Sequence, residues 1–230
     1  MPDRIPRPGR RVSAARLDFP SYTAAENTAD RLVHLVGLAA ATAAIVWLFA
    51  RVGPGATGKQ LAALSIYCCG LVGMLSASAV YNQARPSRLK AGLRRLDQSM
   101  IFVMIAGSYT PFAISALRPE LGLPLCALVW GLAAVGVAVR LACRSGCELA
   151  SLALYLGMGW LGLAVLRPLS AVVPGAVLLL LFVGGLIYSL GVVVQAQARM
   201  PFQNAIWHAM VVAAAALHFA AVAQLSSGPR

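Results

Sequence analysis

Three histidines, His34, His208 and His218, are all the imidazoles in this chain of 230 residues, and each falls inside a stretch of apolar sequence. Imidazole is the commonest metal ligand and a frequent general base. An ionisable group inside an apolar span is costly unless it faces a polar partner, water or a metal. Several polar residues stand at helical spacing from one another. Glu26, Asp30 and His34 are four apart, as are Ser78 and Asn82, and Asn204 and His208; Asp97 and Gln98 are adjacent. Residues four apart share one face of a helix. Hydroxyl, carboxylate, carboxamide and imidazole on converging faces make a site able to bind a metal, activate a water or hold a polar head.

Taken singly, each residue has an ordinary structural explanation. Thr23-Ala24-Ala25-Glu26 fits a capping box, which makes Glu26 a helix start. Asp97 suits the N-cap of a third helix, Asn82 the C-cap of a second, and Ser78 can bond back to a carbonyl of its own helix. His218, ten residues and about 15 Å beyond His208 along one helix, suits a histidine satisfied by a neighbouring helix. What favours a site is convergence: the other nine polar residues, from four spans, come to one depth.

The elements that must position them follow from composition. Apolar residues make up 60% of the chain and charged residues 11%, against about 25% charged in an average soluble domain. Seven apolar spans can be marked, at 31–50, 60–81, 98–117, 121–142, 148–166, 171–194 and 203–225. Each is near the ~20 residues that cross a ~30 Å hydrocarbon core. Backbone amides in lipid must be satisfied internally, so the spans are expected to be helices, and their length and lack of alternation exclude a closed barrel. Breakers separate them: Gly53-Pro54-Gly55, Pro86, Pro119, Gly146, Pro168 and Pro201. No internal repeat is visible, and an odd number of helices argues against an inverted duplication. The expected fold class is therefore an all-α integral membrane bundle of seven transmembrane helices over 23–226, between a basic tail, 1–22, and a short tail, 227–230.

Lys and Arg orient the bundle. Fourteen, from Arg4 to Arg31, from Arg85 to Arg95, and Arg140, Arg144 and Arg199, fall on the side of the N-terminus; Arg51, Lys59, Arg118, Arg167 and Arg230 fall on the other. The positive-inside rule then places the N-terminus in the cytoplasm and the C-terminus outside. The net charge of +12 is distributed among loops between apolar spans, where it serves orientation and anionic lipid heads, so nucleic acid is not an expected partner. Residues 1–20 hold five arginines and no apolar core, unlike a cleaved signal peptide, and Arg10-Arg11 has no following apolar region to make a twin-arginine address. Cys68, Cys69 and Cys126 lie in apolar sequence; Cys143 and Cys147, with no His nearby to complete a metal site, are expected to be two reduced loop thiols.

The segments AENTADRLVHLVG with Glu26, Asp30 and His34, SASAVYNQARPSRLKAGLRRLDQSMIFVMIAGSYTPF at 76–112 and PFQNAIWHAMVVAAAALHFAAV at 201–222 resemble those of the hemolysin III family, bacterial members of the progestin and adiponectin receptor superfamily. The resemblance covers about residues 20–226. It implies a seven-helix bundle with its N-terminus inside, in the plasma (inner) membrane of a bacterium, and a zinc near the cytoplasmic face. Carried over, the three zinc-ligand positions are Asn82, Asn204 and His208. Ser78 and Asp97 keep the Ser and Asp that contact the zinc-bound water. A neutral carboxamide is a poor zinc partner, so zinc is expected to bind weakly or not at all unless a rearranged site recruits His34, Asp97 and His208.

Three functions follow from this pattern. The first is a degenerate metal site, with Asp30, His34 and Gln98 among its polar lining, that binds a membrane lipid or small molecule. The second is a zinc-dependent amide hydrolase acting on a membrane lipid. The third is a pore-forming or cytolytic protein, disfavoured because the polar residues stop at one third of the depth.

Overall fold

A computed structural model describes residues 19–53, 55–143, 146–197 and 200–227. The arginines of the basic tail, with the Arg10-Arg11 pair, lie outside the described residues. The described chain is all helical: α1 (Ala24–Val52), α2 (Gly58–Gln83), α3 (Arg88–Ser115), α4 (Pro119–Ala142), α5 (Glu148–Trp160), a 3-10 stretch (Leu161–Val165), α6 (Leu166–Ser170), α7 (Gly175–Gln195) and α8 (Gln203–Ser227). Taking Glu148–Ser170 as one span, six of the seven are long and apolar enough to cross a membrane.

The seventh, α3, is more polar for a physical reason. Its first ten residues carry Arg88, Lys90, Arg94, Arg95 and Asp97, and its later turns are buried between α2 and α4 rather than turned to lipid. Large apolar side chains elsewhere point outward, among them Leu35, Val46 and Trp47 of α1 and Leu179 and Phe182 of α7, as lipid-facing positions require.

Helix ends follow local chemistry. The Thr23 hydroxyl accepts the Glu26 N–H, and the Glu26 carboxylate accepts the Thr23 N–H at 2.8 Å, so the expected capping box is present. Ser87 caps α3, so the helix starts ten residues before the apolar span expected at 98, and Asp97 lies in its third turn. The N-cap reading of Asp97 is thereby corrected: long basic side chains let a helix begin in the interface before the apolar run. Asn82 is not the C-cap of α2 either; the helix runs through Gln83 and is capped at Ala84.

The fifth span breaks because Tyr109 of α3 inserts into its ladder. The phenol donates to the carbonyls of Met158 (2.8 Å) and Gly159 (3.1 Å) and accepts the Gly162 N–H (2.7 Å), diverting bonds that a continuous α-helix would make internally. Cys143 and Cys147 form a disulfide across the α4–α5 connection, which corrects the expectation of two free thiols. Gly146, at φ 83°, folds that connection back, bringing the two Cα atoms to 6.4 Å, within disulfide reach.

Neighbouring helices pack in sequence, and α1 closes the bundle against α8. Gly37 permits that closure, since any Cβ there would collide with Val212 of α8. The seam between α5 and α7 is thinly packed.

Candidate functional site

The polar stripe of α1 faces inward. Asp30 and His34 are buried, while Leu32, Leu35 and Val36 between and beside them are exposed, so the helix turns one polar face to the bundle and the rest to lipid. On α8, Gln203, Asn204 and His208 are buried likewise, and Ser78 is buried near the end of α2. The four helix ends meet at the end of the bundle where α1, α3 and α8 begin.

His208 is the hub. Its Nδ1 lies 2.5 Å from Asp30 Oδ1 and its Nε2 3.3 Å from Ser78 Oγ. A nitrogen facing a carboxylate carries the proton, so Nδ1–H donates to Asp30 and the lone pair on Nε2 accepts the Ser78 hydroxyl. Asp30 Oδ2 is also 3.5 Å from His34 Nε2, and the two imidazole rings lie 4.4 Å apart, tilted by 48°. That His34 nitrogen, in a residue 4% exposed, makes no hydrogen bond among the described residues. Asp97 reaches the same cluster from α3, beside Ser78, His208 and His34.

Asn204 Nδ2 donates to Asn82 Oδ1 at 3.1 Å, and Asn82 Nδ2 donates to the Ser78 carbonyl at 2.9 Å. The two carboxamides at the ligand positions given by the resemblance thus satisfy each other. The donors able to hold a metal are a different set: one atom each from Asp30, His34 and His208, all within 4.8 Å of one another. The rearranged set expected from sequence had Asp97 where the structure has Asp30. Gln98 lines the cavity; its backbone carbonyl accepts the Tyr155 hydroxyl at 2.7 Å and its buried Oε1 has no partner among the described residues. His218 Nδ1 donates to the Ala214 carbonyl of its own helix at 2.9 Å, and Tyr188 of α7 lies against its ring.

The cluster opens onto a cavity of about 910 Å³ reaching from Asp30, Asp97 and His208 to Tyr188 and His218 along the thin α5–α7 seam. Sequence reasoning missed two features. Glu26 does more than cap: its Oε1 accepts the N–H of Phe202 at 3.0 Å, tying the start of α1 to the α7–α8 connection. Phe202 sits at φ 56°, a region a bulky side chain rarely adopts, so the bond holds a strained turn. Arg140, counted in the sequence as a loop charge, is buried and lines the cavity.

Comparison with known proteins agrees with the sequence resemblance. The family described as "Haemolysin-III related" matches residues 22–219. The "Hemolysin-3 homolog" of Bacillus subtilis (strain 168) is 31% identical over 198 residues, 86% of this chain and 93% of that protein. "Hemolysin-3" of Bacillus cereus is 29% identical over 194 residues, 84% and 89% of the two chains. The human "Monocyte to macrophage differentiation factor" is 34% identical over 169 residues, 68% and 67%. No solved structure matches.

Proposed function

The chain belongs to the haemolysin-III-related family of multi-pass helical membrane proteins, and from that membership and the site geometry we propose that it is an intramembrane metal protein with an amphiphile-binding cavity. Asp30, His34 and His208 would hold a divalent ion, and two imidazoles with one carboxylate are a donor set suited to zinc with a fourth position open. The observation that carries the reading is the buried His34 Nε2, which makes no hydrogen bond among the described residues, lies 3.5 Å from Asp30 Oδ2 and stands with the His208 and Asp30 donors. An unpaired buried polar atom costs about 1–3 kcal/mol, and a metal ligand role removes that cost. The Lys and Arg distribution supports an orientation with this end in the cytoplasm.

When bound, zinc supplies Lewis-acid polarisation of an oxygen at the open position. The protein's own residues do the rest. Asp30 Oδ1 accepts His208 Nδ1–H and so fixes the tautomer and ring orientation, which leaves Nε2, here bonded to Ser78, as the nitrogen that would meet a metal once the Ser78 hydroxyl turned away. Ser78 and Asp97 offer a hydroxyl and a carboxylate to orient a water or ligand head, and the Asn82–Asn204 pair closes the wall behind them. Zinc analysis of protein purified in neutral detergent tests the reading. Close to one zinc per chain is expected, falling in His34→Gln; less than about a tenth of an ion after zinc addition to well-folded protein would overturn it.

A second reading rests on the continuous chain Ser78 Oγ, His208, Asp30, the order of a nucleophile, base and orienting carboxylate. In it Ser78 Oγ attacks an acyl carbonyl, whose π bond opens to an oxyanion, while its proton passes to His208 Nε2 and Asp30 stabilises the imidazolium; the oxyanion then collapses, the bond to the leaving group breaks, and His208 gives that group the proton. A fluorophosphonate probe should then label wild-type protein but not Ser78→Ala; an unlabelled wild type would remove this reading. Pore formation ranks behind both, since a pore needs polar side chains along a whole helix and here they gather at one end.

A further inference from the structure

Cys143 and Cys147 occupy the two cap positions of the α4–α5 connection: Cys143 follows the last residue of α4 and Cys147 precedes the first residue of α5. Their disulfide is a covalent tie across it. Little else holds the start of α5. Its N-cap makes no side-chain hydrogen bond, Glu148, Leu149 and Ala150 are exposed, and only Ser151 and Met158 of the helix are buried. The side-chain anchors come later, where the Tyr155 hydroxyl donates to the Gln98 carbonyl, the Tyr155 ring centre lies 4.3 Å from that of Phe102, and Tyr109 holds the carbonyls of Met158 and Gly159.

The connection lies at the end of the bundle where α1, α3 and α8 begin, the end that the Lys and Arg distribution assigns to the cytoplasm. Cytoplasmic thiols are kept reduced, so a disulfide there is of the transient, redox-responsive kind rather than a permanent staple. Both cysteines are part-exposed and lie outside the apolar spans, among the exposed Leu141, Ala142, Gly146 and Glu148, within reach of a water-borne thiol. Their placement favours exchange as well. A thiolate at a helix N-terminus is stabilised by the dipole and the free N–H groups of the first turn, so Cys147 Sγ is the better leaving group, although Glu148 beside it opposes this in part. Cys143, at the C-terminal end of α4, has no such support from its own helix.

We propose that Cys143 and Cys147 are a reversible thiol–disulfide pair that clamps or releases the start of α5, and with it one wall of the cavity mouth. Arg140 of α4 and Glu148 and Leu149 of α5 line that mouth on either side of the pair. In the reductive step a thiolate of a cytoplasmic dithiol attacks Cys143 Sγ; the Sγ–Sγ bond breaks and its electron pair leaves on Cys147 Sγ. The second thiol of the reductant then displaces Cys143 Sγ. Two electrons and two protons pass to the protein, and the reductant becomes its own disulfide. The reverse step takes a small disulfide or an azodicarboxamide, which accepts the two electrons and two protons. The inference rests on the cytoplasmic orientation of this end, and on neither the metal nor the ligand of the cavity.

Differential alkylation of the full chain tests the pair. Growing cells are quenched in acid, free thiols are blocked with iodoacetamide, the remainder is reduced and labelled with a heavy form, and the two cysteines are read in separate tryptic peptides, since Arg144 lies between them. At a cytoplasmic glutathione poise both should be mostly thiol, turn mostly to disulfide in diamide, and return once it is washed out. Disulfide throughout in untreated cells, or thiol throughout in diamide, would overturn the proposal. A reporter fused within residues 85–95, at the same end, locates the cause: a cytoplasmic reading with a persistent disulfide refutes this inference alone, and an extracytoplasmic reading refutes the orientation and the inference together. The clamp is read by hydrogen exchange of protein purified in neutral detergent. The amides of Ser151 to Leu154, the first that the helix itself bonds, with Ser151 N–H on the Cys147 carbonyl at 3.0 Å, should exchange about tenfold faster in the reduced chain while α7 and α8 are unchanged. Cys147→Ser should match the reduced chain. Equal rates in the two states would overturn the clamp, and should Cys147→Ser fail to fold, the oxidised and reduced wild type decide.

Discussion

Asp30→Asn is the most informative single change, because it keeps the size of the side chain while removing the charge that joins His208 and His34. In the folded protein Asp30 accepts from His208 Nδ1 at 2.5 Å and approaches His34 Nε2 at 3.5 Å, both in buried surroundings. A hydrogen bond to a charged group contributes roughly 1.5–3 kcal/mol, and a neutral amide oxygen recovers part of it, so a loss of about 1–2 kcal/mol is expected without metal. For a chain of this length that corresponds to about 2–8 °C in midpoint. Zinc at a hundredfold excess over its Kd should stabilise the wild type by about 2.7 kcal/mol, or roughly 5–11 °C. The variant, lacking the anionic ligand, should lose most of that increment. The assay is four melting curves, wild type and Asp30→Asn, each with chelator and with zinc. If the variant lost midpoint in chelator but gained as much from zinc as the wild type, Asp30 would be a structural partner of His208 only, and the metal assignment would fail.

Three further outcomes are expected. A reporter fused after Arg230 should read as extracytoplasmic and one within residues 85–95 as cytoplasmic; both on one side would contradict the orientation argued from the fourteen-to-five charge distribution. Glu26→Ala should lower the melting point while leaving zinc binding near the wild-type level, since it loses the Thr23 box and the Phe202 N–H, whereas Asp97→Ala should weaken zinc or ligand binding more than it lowers the melting point; a reversed pattern would remove Asp97 from the site. Adding Asn82→His and Asn204→His to the Asp30→Asn background should return zinc towards one per chain. The two carboxamides are in contact at 3.1 Å and His208 is one turn from position 204, so three imidazoles would converge there. Its absence from a well-folded triple variant would place α2 and α8 out of reach of a common ion.

Much of the architecture was legible in the residues alone. Apolar runs of membrane-spanning length dictate helices, because lipid offers the backbone no hydrogen bonds, and the spacing of four between Asp30 and His34 and between Asn204 and His208 puts each pair on one face. The start of α3 was misread since five ionisable side chains in its first ten residues look like a loop in a hydropathy scan, although an N-capping Ser87 and interfacial arginines suit a helix well. The break in the fifth span was invisible, because it depends on a tyrosine from α3 that is remote in sequence.

Type and periodicity determined that this chain is a helical membrane protein with its rare polar residues gathered at one end. Tertiary structure decided which of them touch. That Asp30 bonds to His208 depends on the rotation of α1 against α8, where Gly37 lies close to Val212, and no spacing within one helix encodes the rotation between two. The same holds for Asn82 and Asn204, 122 residues apart and hydrogen-bonded to each other. Arg140 shows the limit most plainly. Read along the chain it is one more cation near a helix end, where the positive-inside rule fully accounts for it, and only the tertiary packing buries it and turns it onto the cavity.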